Sequence, residues 1–344
     1  MAKKQSSHRV LKATFALLLL AGVAVGGWLW QQYKGFADTP IALSDAERIL
    51  VVERGDGFQD ILGKLRALGV DEGHDLQWKA LAHEMQVISR LQVGDYSIRH
   101  GITPRELLKR LESGKVIQHR FTLVEGWNFR ELRAALARDE TLVQQLPALD
   151  DAAVMAALGR AGQHPEGRFL PETYHYTRGA SDLDLLRRAA LAMDKAVADA
   201  WAARAPDLPI ETPEQLLILA SIIEKETGKA AERPEIAGVF SRRLKLGMRL
   251  QTDPTVIYGM GSAYAGNIRR SDLTTDTPYN TYTRAGLPPT PIALAGREAL
   301  MAAANPADGK TLYFVARGDG SHVFSATLAE HNRAVACYQL KRCR

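Results

Sequence analysis

The sequence predicts an α+β protein carried on one N-terminal transmembrane helix. Three observations lead there. An uncharged apolar run covers Ala13 to Trp30. Short strand and helix patterns alternate over residues 45–118. A longer Ala- and Leu-rich helical stretch then ends in a strand–turn–strand pattern near the C-terminus. At 344 residues, with 46% hydrophobic and 24% charged residues, the chain has ample material for about two folded domains.

The apolar run is about the length of a bilayer-spanning helix. Lys3, Lys4, Arg9 and Lys12 precede it, and Trp28, Trp30 and Tyr33 crowd its far end as an aromatic belt would. The rival reading, a cleaved signal peptide, rests on the small residues near Ala24 to Gly27. The aromatic belt favours an uncleaved anchor over residues 13–33, with a cytoplasmic basic tail at 1–12 and the remainder of the chain outside. The net charge of +5 sits mostly at the ends. Removing the four basic residues above and Lys341, Arg342 and Arg344 leaves +5 − 7 = −2 for the body. Such a body has no basic face for nucleic acid.

A linker is expected at 34–44. Ile49–Val52 reads as a strand, followed by the Gly55-Asp56-Gly57 turn. Phe58, Ile61, Leu62, Leu65 and Leu68 keep helical spacing. A second helix is expected over Leu76–Ser89, a strand over Gly94–Ile98, and a helix capped by Thr103, Pro104 and Glu106 that stops at Gly114. These make a small α+β module over 45–118. Residues 119–344 form the larger, mixed but mostly helical domain. It opens with a strand at Phe121–Val124 and a helix capped by Asn128. Residues 140–205 are helical around the interruption Glu166–Tyr176. Met248–Pro291 is a long Gly-, Pro-, Asn-, Thr- and Tyr-rich segment of the kind that carries function. A hairpin, Leu312–Val315 with His322–Phe324, precedes a last helix capped by Thr327 and Glu330.

Chemistry concentrates in four places. The first is the helix capped by Thr212 with Pro213 and Gln215 and stopped at Gly228. It is apolar on nearly every face from Leu216 to Ile223 and ends in Glu224-Lys225-Glu226. Burial there would raise a carboxyl pKa toward neutrality, as a general acid requires. Most helix-end carboxylates are simply solvated, and spacing alone leaves Glu224 and Glu226 level. The others are Glu166–Tyr176, Arg249–Gly259 with Gln251 and Asp253, and Tyr279-Asn280-Thr281-Tyr282. Phenol faces with amides and carboxylates suit sugar rings. The bland readings are turn chemistry at Gln251 and Asp253 and a packed loop at Tyr279–Tyr282. No P-loop, dinucleotide fingerprint or HExxH motif occurs, and the histidines lack metal-ligand spacing. His322 and His331 read as packing or surface residues. Ser221 lies mid-helix, not on a nucleophile elbow. No metal or cofactor is expected. Cys337 and Cys343 could close a small disulfide in an oxidising compartment.

Ala220-Ser-Ile-Ile-Glu-Lys-Glu-Thr227, Gly247–Gly261, Tyr279-Asn-Thr-Tyr282, Gly286-Leu-Pro-Pro289, Asn305-Pro306 and the two hairpin strands together resemble the YceG-like endolytic murein transglycosylases. The resemblance implies a LysM-like, wall-binding fold for 45–118 and a catalytic domain for 119–344. It implies non-hydrolytic cleavage of peptidoglycan strands to 1,6-anhydro-MurNAc ends by a periplasmic domain on the inner membrane, beside peptidoglycan synthases. It places the catalytic glutamate on Glu224, with Glu226 a structural neighbour. It lines the glycan cleft with Gln251, Asp253, Tyr279, Asn280 and the Glu166 to Tyr174 strip, including Glu172. A hydrolase using two carboxylates and a non-catalytic wall-binding scaffold are the rival functions.

Overall fold

The computed structural model describes residues 2–43 and 47–343. Residues 44–46, and so the expected start of the module at Asp45, lie outside them. The side chains of residues 2–13, with Lys3, Lys4, Arg9 and Lys12, and that of Leu29 also lie outside the description. The fold is mixed α+β. Its chain divides into two compact units, Met1–His119 with Thr177–Gly179, and Arg120–Tyr176 with Ala180–Arg344.

In the first unit a single helix α1 runs through Ala2–Asp38. By length and composition, Thr14–Asp38 could cross a membrane, with a mean hydropathy of 1.6. Leu17 to Leu20, Val23, Val25, Trp28 and Trp30 are exposed. Beyond them the environment changes. Residues 34–43, expected as a linker, continue the helix to Asp38, and Phe36, Ala37, Ile41 and Leu43 enter the unit's core. The core is built on strands β1 (Arg48–Val52) and β2 (Gly94–Ile98), antiparallel with Arg48 opposite Ile98 and Val52 opposite Gly94. Leu50 and Val52 point inward on the two-residue period of a strand. Helices α2 (Phe58–Ala67), α3 (Asp75–Glu84) and α4 (Pro104–Ser113) supply Ile61, Leu62, Leu65, Trp78, Leu81, Leu107, Leu108 and Leu111. Thr103 and Glu106 form the expected capping box, and Gly114 takes the left-handed stop at φ 65°.

Helix α3 ends five residues before the expected Ser89. Gln86 adopts φ 56°, its N–H reaches His83 C=O, and Val87 N–H reaches Ala82 C=O. That double bond is a Schellman stop made without glycine. Val87 stays buried, so the apolar spacing outruns the helix. Gly73, at φ 70°, is required where α1 arrives: a Cβ there would lie 2.1 Å from the Phe36 ring. Phe36 also meets Trp78 edge-on, with centroids 5.2 Å apart. Phe36→Ala should therefore cost about 3 kcal/mol through the cavity it leaves, read as a lower first unfolding transition of the full chain in detergent. An unchanged transition would mean that the end of α1 is not part of this core.

The second unit begins at Arg120, within β3 (His119–Thr122), which shares a two-stranded sheet with β4 (Thr173–Tyr176). Helices α5 (Phe129–Leu136), α6 (Asp151–Ala157) and α7 (Asp182–Ala202) follow the pattern expected, α5 capped by Asn128. Next come α8 (Pro213–Glu226), α9 (Arg233–Lys245), α10 (Asp253–Met260), the short α11 (Arg270–Thr274) and α12 (Arg297–Ala304). Strands β5 (Tyr313–Ala316) and β6 (His322–Ser325) pair antiparallel, with Tyr313 opposite Ser325, and α13 (Leu328–Tyr338) closes the unit. Cys337 and Cys343 are disulfide-bonded.

Helix α8 is the buried centre of this unit. Leu216, Leu217, Leu219, Ala220, Ile222 and Ile223 all pack into one core with residues of α7, α9 and α12. Ser221 is a buried strut: its hydroxyl donates to Ile218 C=O at 2.7 Å and accepts from Ile292 N–H at 3.0 Å. Thr212 caps the helix as expected, while Gln215 reaches one residue further back, accepting from Glu211 N–H at 2.6 Å. The expected glycine stop at Gly228 is not used. Thr227 leaves the helix in extended conformation at φ −145°, directly after Glu226.

Candidate active site

The end of α8 separates its two glutamates. The Glu224 side chain is 4% exposed and that of Arg233 8%. Glu224 Oε1 accepts from Arg233 Nη2 at 3.3 Å, and Oε2 accepts from Gly296 N–H at 2.9 Å. Gly296 is the N-cap of α12, so the carboxylate also satisfies a free N–H at that helix start. Arg233 further pairs with Glu298 at 2.5 Å and with Glu125 at 3.5 Å. Both oxygens of Glu224 are thus committed to holding α8, α9 and α12 together.

Glu226 faces a cleft of about 430 Å³ lined by Arg243, Gln251, Thr252, Asp253, Tyr282, Tyr313, His322 and His331 among others. Desolvation pushes its carboxyl up to about 7. The Thr252 hydroxyl, which donates to it, and the charges of His322 and Arg243 oppose that rise, while Asp253 adds to it. The group therefore exchanges its proton near neutral pH.

The cleft is assembled around Thr281. This buried residue takes the Gln251 N–H on its carbonyl at 3.2 Å and the Thr252 N–H on its hydroxyl at 3.0 Å. Its hydroxyl also lies 2.9 Å from that of Thr255. The 279–282 loop is thereby fixed to the start of α10, where Tyr282 donates to Asp253 Oδ1 at 2.6 Å. Gln251 sits at φ 52°, a left-handed position held by these bonds. Arg243 on α9 forms one wall. It donates to Leu312 C=O at 2.6 Å and Leu250 C=O at 2.8 Å, and lies under the Tyr313 ring at 5.1 Å.

Of the residues expected in the site, Gln251 and Asp253 meet Glu226 here. Glu166 and Tyr279 line a second cavity of about 710 Å³ in the same unit, with Phe129, Lys225, Tyr258 and Tyr264. Burial pushes Glu166 up to about 7, against the Phe129 N–H it accepts at 3.0 Å. Tyr279 meets Tyr258 edge-on at 4.9 Å and hydrogen-bonds Thr290 at 2.8 Å. The remaining expected residues line neither cavity. Asn280 is buried and donates to Asp272, Leu273 and Thr275 carbonyls while accepting from Tyr282 N–H, so its amide holds the loop. Tyr174 is buried, its hydroxyl donating to Leu170 C=O at 2.8 Å. Glu172 pairs with Arg297 at 2.8 Å on the surface. Sequence reasoning did not single out Arg243, Thr252 or Arg233, and it read His322 as packing. Arg243 and Arg233 sit in an ordinary-looking helix, and nothing local marks them. His322 could be found only through Glu232, ninety residues away, whose carboxylate holds it. Among the described residues, no group of three or more His, Cys, Asp or Glu side chains could hold a metal ion.

A profile of the YceG-like family matches residues 50–337, most of the chain. The chain belongs to the YceG-like family. Relatives agree with the profile. An endolytic murein transglycosylase of Bacillus subtilis (strain 168) is 33% identical, covering 73% of this chain and 74% of that protein. An endolytic murein transglycosylase of Streptococcus pneumoniae (serotype 2, strain D39) is 28% identical, covering 93% of this chain but 64% of that protein. The crystal structure of a YceG-like protein from Listeria monocytogenes superposes with a TM-score of 0.54 at 27% identity, covering 84% of this chain and 99% of that one. Family membership spans both units of the chain.

Proposed function

We propose that the chain is an endolytic lytic transglycosylase of peptidoglycan, and that Glu226 is its proton donor. The observation that carries this is the Glu226 carboxyl, raised to about 7 in a cleft with Gln251, Asp253 and Tyr282. The relatives named endolytic murein transglycosylases supply the substrate class. Glu224, the residue to which the family resemblance points, suits the role less well, because both its oxygens are engaged by Arg233 and Gly296.

In this mechanism the Glu226 carboxyl protonates the glycosidic oxygen between MurNAc and GlcNAc, and the C1–O4 bond breaks. The MurNAc C6 hydroxyl closes on the anomeric carbon and loses its proton, giving a 1,6-anhydro end with no water consumed. In the simplest sequence the Glu226 carboxylate takes that proton back. One carboxyl suffices because the nucleophile belongs to the substrate, whereas glycoside hydrolysis uses two. Gln251 would hydrogen-bond the sugar, Tyr282 would do so through the acceptor side of the hydroxyl it donates to Asp253, and Tyr258 and Tyr279 in the second cavity would offer ring faces for further units of the strand. Asp253 in the same cleft keeps a second reading open: a hydrolase with Glu226 as acid and Asp253 as its partner. The two differ by one water in the product.

The same reading takes α1 as a single-pass inner-membrane anchor with a cytoplasmic N-terminus. It takes the first unit as a LysM-like wall-binding module and the second as a periplasmic catalytic domain. The exposed apolar stretch of α1 ending in Trp28 and Trp30 supports the anchor. Held there, the cleft would meet new strands beside peptidoglycan synthases and terminate them. Incubating purified glycan strands with the full-length chain in detergent tests the activity. Internal fragments are expected from the first minutes; strands that keep their starting length would overturn the reading.

A further inference from the structure

The mechanism above asks one carboxyl to give a proton and take another, yet an imidazole lines the same cleft. His322 opens β6 and lines the cleft with Glu226. Its ring is fixed from behind by Glu232. Nδ1 lies 2.8 Å from Glu232 Oε2, and the His322 backbone N–H donates to Oε1 of the same carboxylate at 3.1 Å. The Phe314 ring packs edge-on against the imidazole at 5.4 Å, and Phe324 flanks it at 6.4 Å. With Nδ1 carrying the proton shared with Glu232, Nε2 keeps its lone pair. No hydrogen bond of the described residues uses Nε2. This is the arrangement of a base held in one tautomer by a carboxylate, as in nucleophile-activating triads. Here, though, the nucleophile would be a hydroxyl of the substrate.

We propose that His322, oriented by Glu232, is the base of this cleft, and that Glu226 serves as acid alone. The proposal rests on the lytic transglycosylase reading and divides its two proton transfers between two residues. His322 Nε2 takes the proton of the C6 hydroxyl as O6 bonds to C1. The C1–O4 electron pair goes to O4, which receives the Glu226 proton. The step leaves an imidazolium and a carboxylate, and solvent returns the proton from one to the other. The charged and titratable groups that share the cleft or the Glu232 partner with His322 are Glu232 and Lys229 from the turn before α9, Glu226 from α8, Arg243 from α9, Asp253, Tyr282, Tyr313 from β5 and His331 from α13.

The test is the pH profile of glycan cleavage by the full-length chain in detergent, for the wild type, His322→Gln, Glu232→Gln and Glu226→Gln. The wild type should show an acid limb. His322→Gln should lose that limb and about 100-fold in kcat, with KM little changed. Glu232→Gln, which keeps the ring packed but removes the carboxylate that sets its tautomer, should lose at least about 10-fold in kcat with KM little changed. That variant carries the test should His322→Gln fail to fold. A His322→Gln enzyme with the wild-type kcat, or with a raised KM and an unchanged profile, overturns the proposal, as does an unchanged kcat in Glu232→Gln. Activity surviving in Glu226→Gln would instead strike at the underlying reading, so the two failures are distinct.

Discussion

Glu226→Gln should lose between about 100- and 10,000-fold in the rate of strand cleavage, the range of general acid catalysis, while folding normally. It should also unfold at a higher temperature than the wild type at pH 8. A carboxyl whose folded pKa of about 7 exceeds its ordinary value of 4.5 stabilises the fold relative to the ionised form at low pH. That contribution is complete below about 4.5 and is lost as pH rises through 7. At pH 8 the wild type must hold an ionised, desolvated group, at a cost of about 3 kcal/mol by linkage, and the amide removes it. The gain in melting temperature should shrink toward pH 5. On the proposed reading, a proton donor that weakens the fold it sits in is the expected trade at a site built for chemistry. If Glu226→Gln instead melts at the wild-type temperature at both pH values, the carboxyl is not desolvated as the structure has it.

Arg233→Met should destabilise the second unit by about 3–5 kcal/mol, the usual result of removing one partner from a buried ion pair. Glu224 would lose its guanidinium while remaining buried, and Glu125 and Glu298 would lose the cation between them. Glu224→Gln should be milder. The amide oxygen can still accept from Gly296 N–H, and Arg233 keeps its 2.5 Å partner in Glu298. Denaturant unfolding of the full-length chain in detergent reads both. A fully stable Arg233→Met would show that the cluster does not join α8, α9 and α12.

These two expectations assign different work to residues two apart in sequence, and the sequence had no means of doing so. Local signals were legible. Thr103, Asn128, Thr212 and Thr327 each cap the helix expected, because a cap needs only the residue and the N–H groups two or three positions on. The apolar, buried character of α8 was equally plain, since Ser221 is the one polar residue from Leu216 to Ile223. The surroundings of Glu224 and Glu226 are set by Arg233, Gly296, Thr252 and Asp253, brought in from other elements by the fold. Asn280 and Tyr174 show the same limit. An amide or a phenol in a polar motif looks like a ligand to sugar, and only the fold reveals that carbonyls of the chain itself have taken it. Gln86 and Thr227 ended their helices without the glycine that a sequence reader waits for.

The central claim is that strands are cut without water, by proton transfer from Glu226. Mass analysis of the new ends made by the full-length chain from purified glycan tests it most directly. The account predicts ends lighter by one water than a reducing MurNAc, made by the wild type and lost together with the rate in Glu226→Gln. Ends of full reducing mass, or anhydro ends made at the wild-type rate by Glu226→Gln, would contradict it.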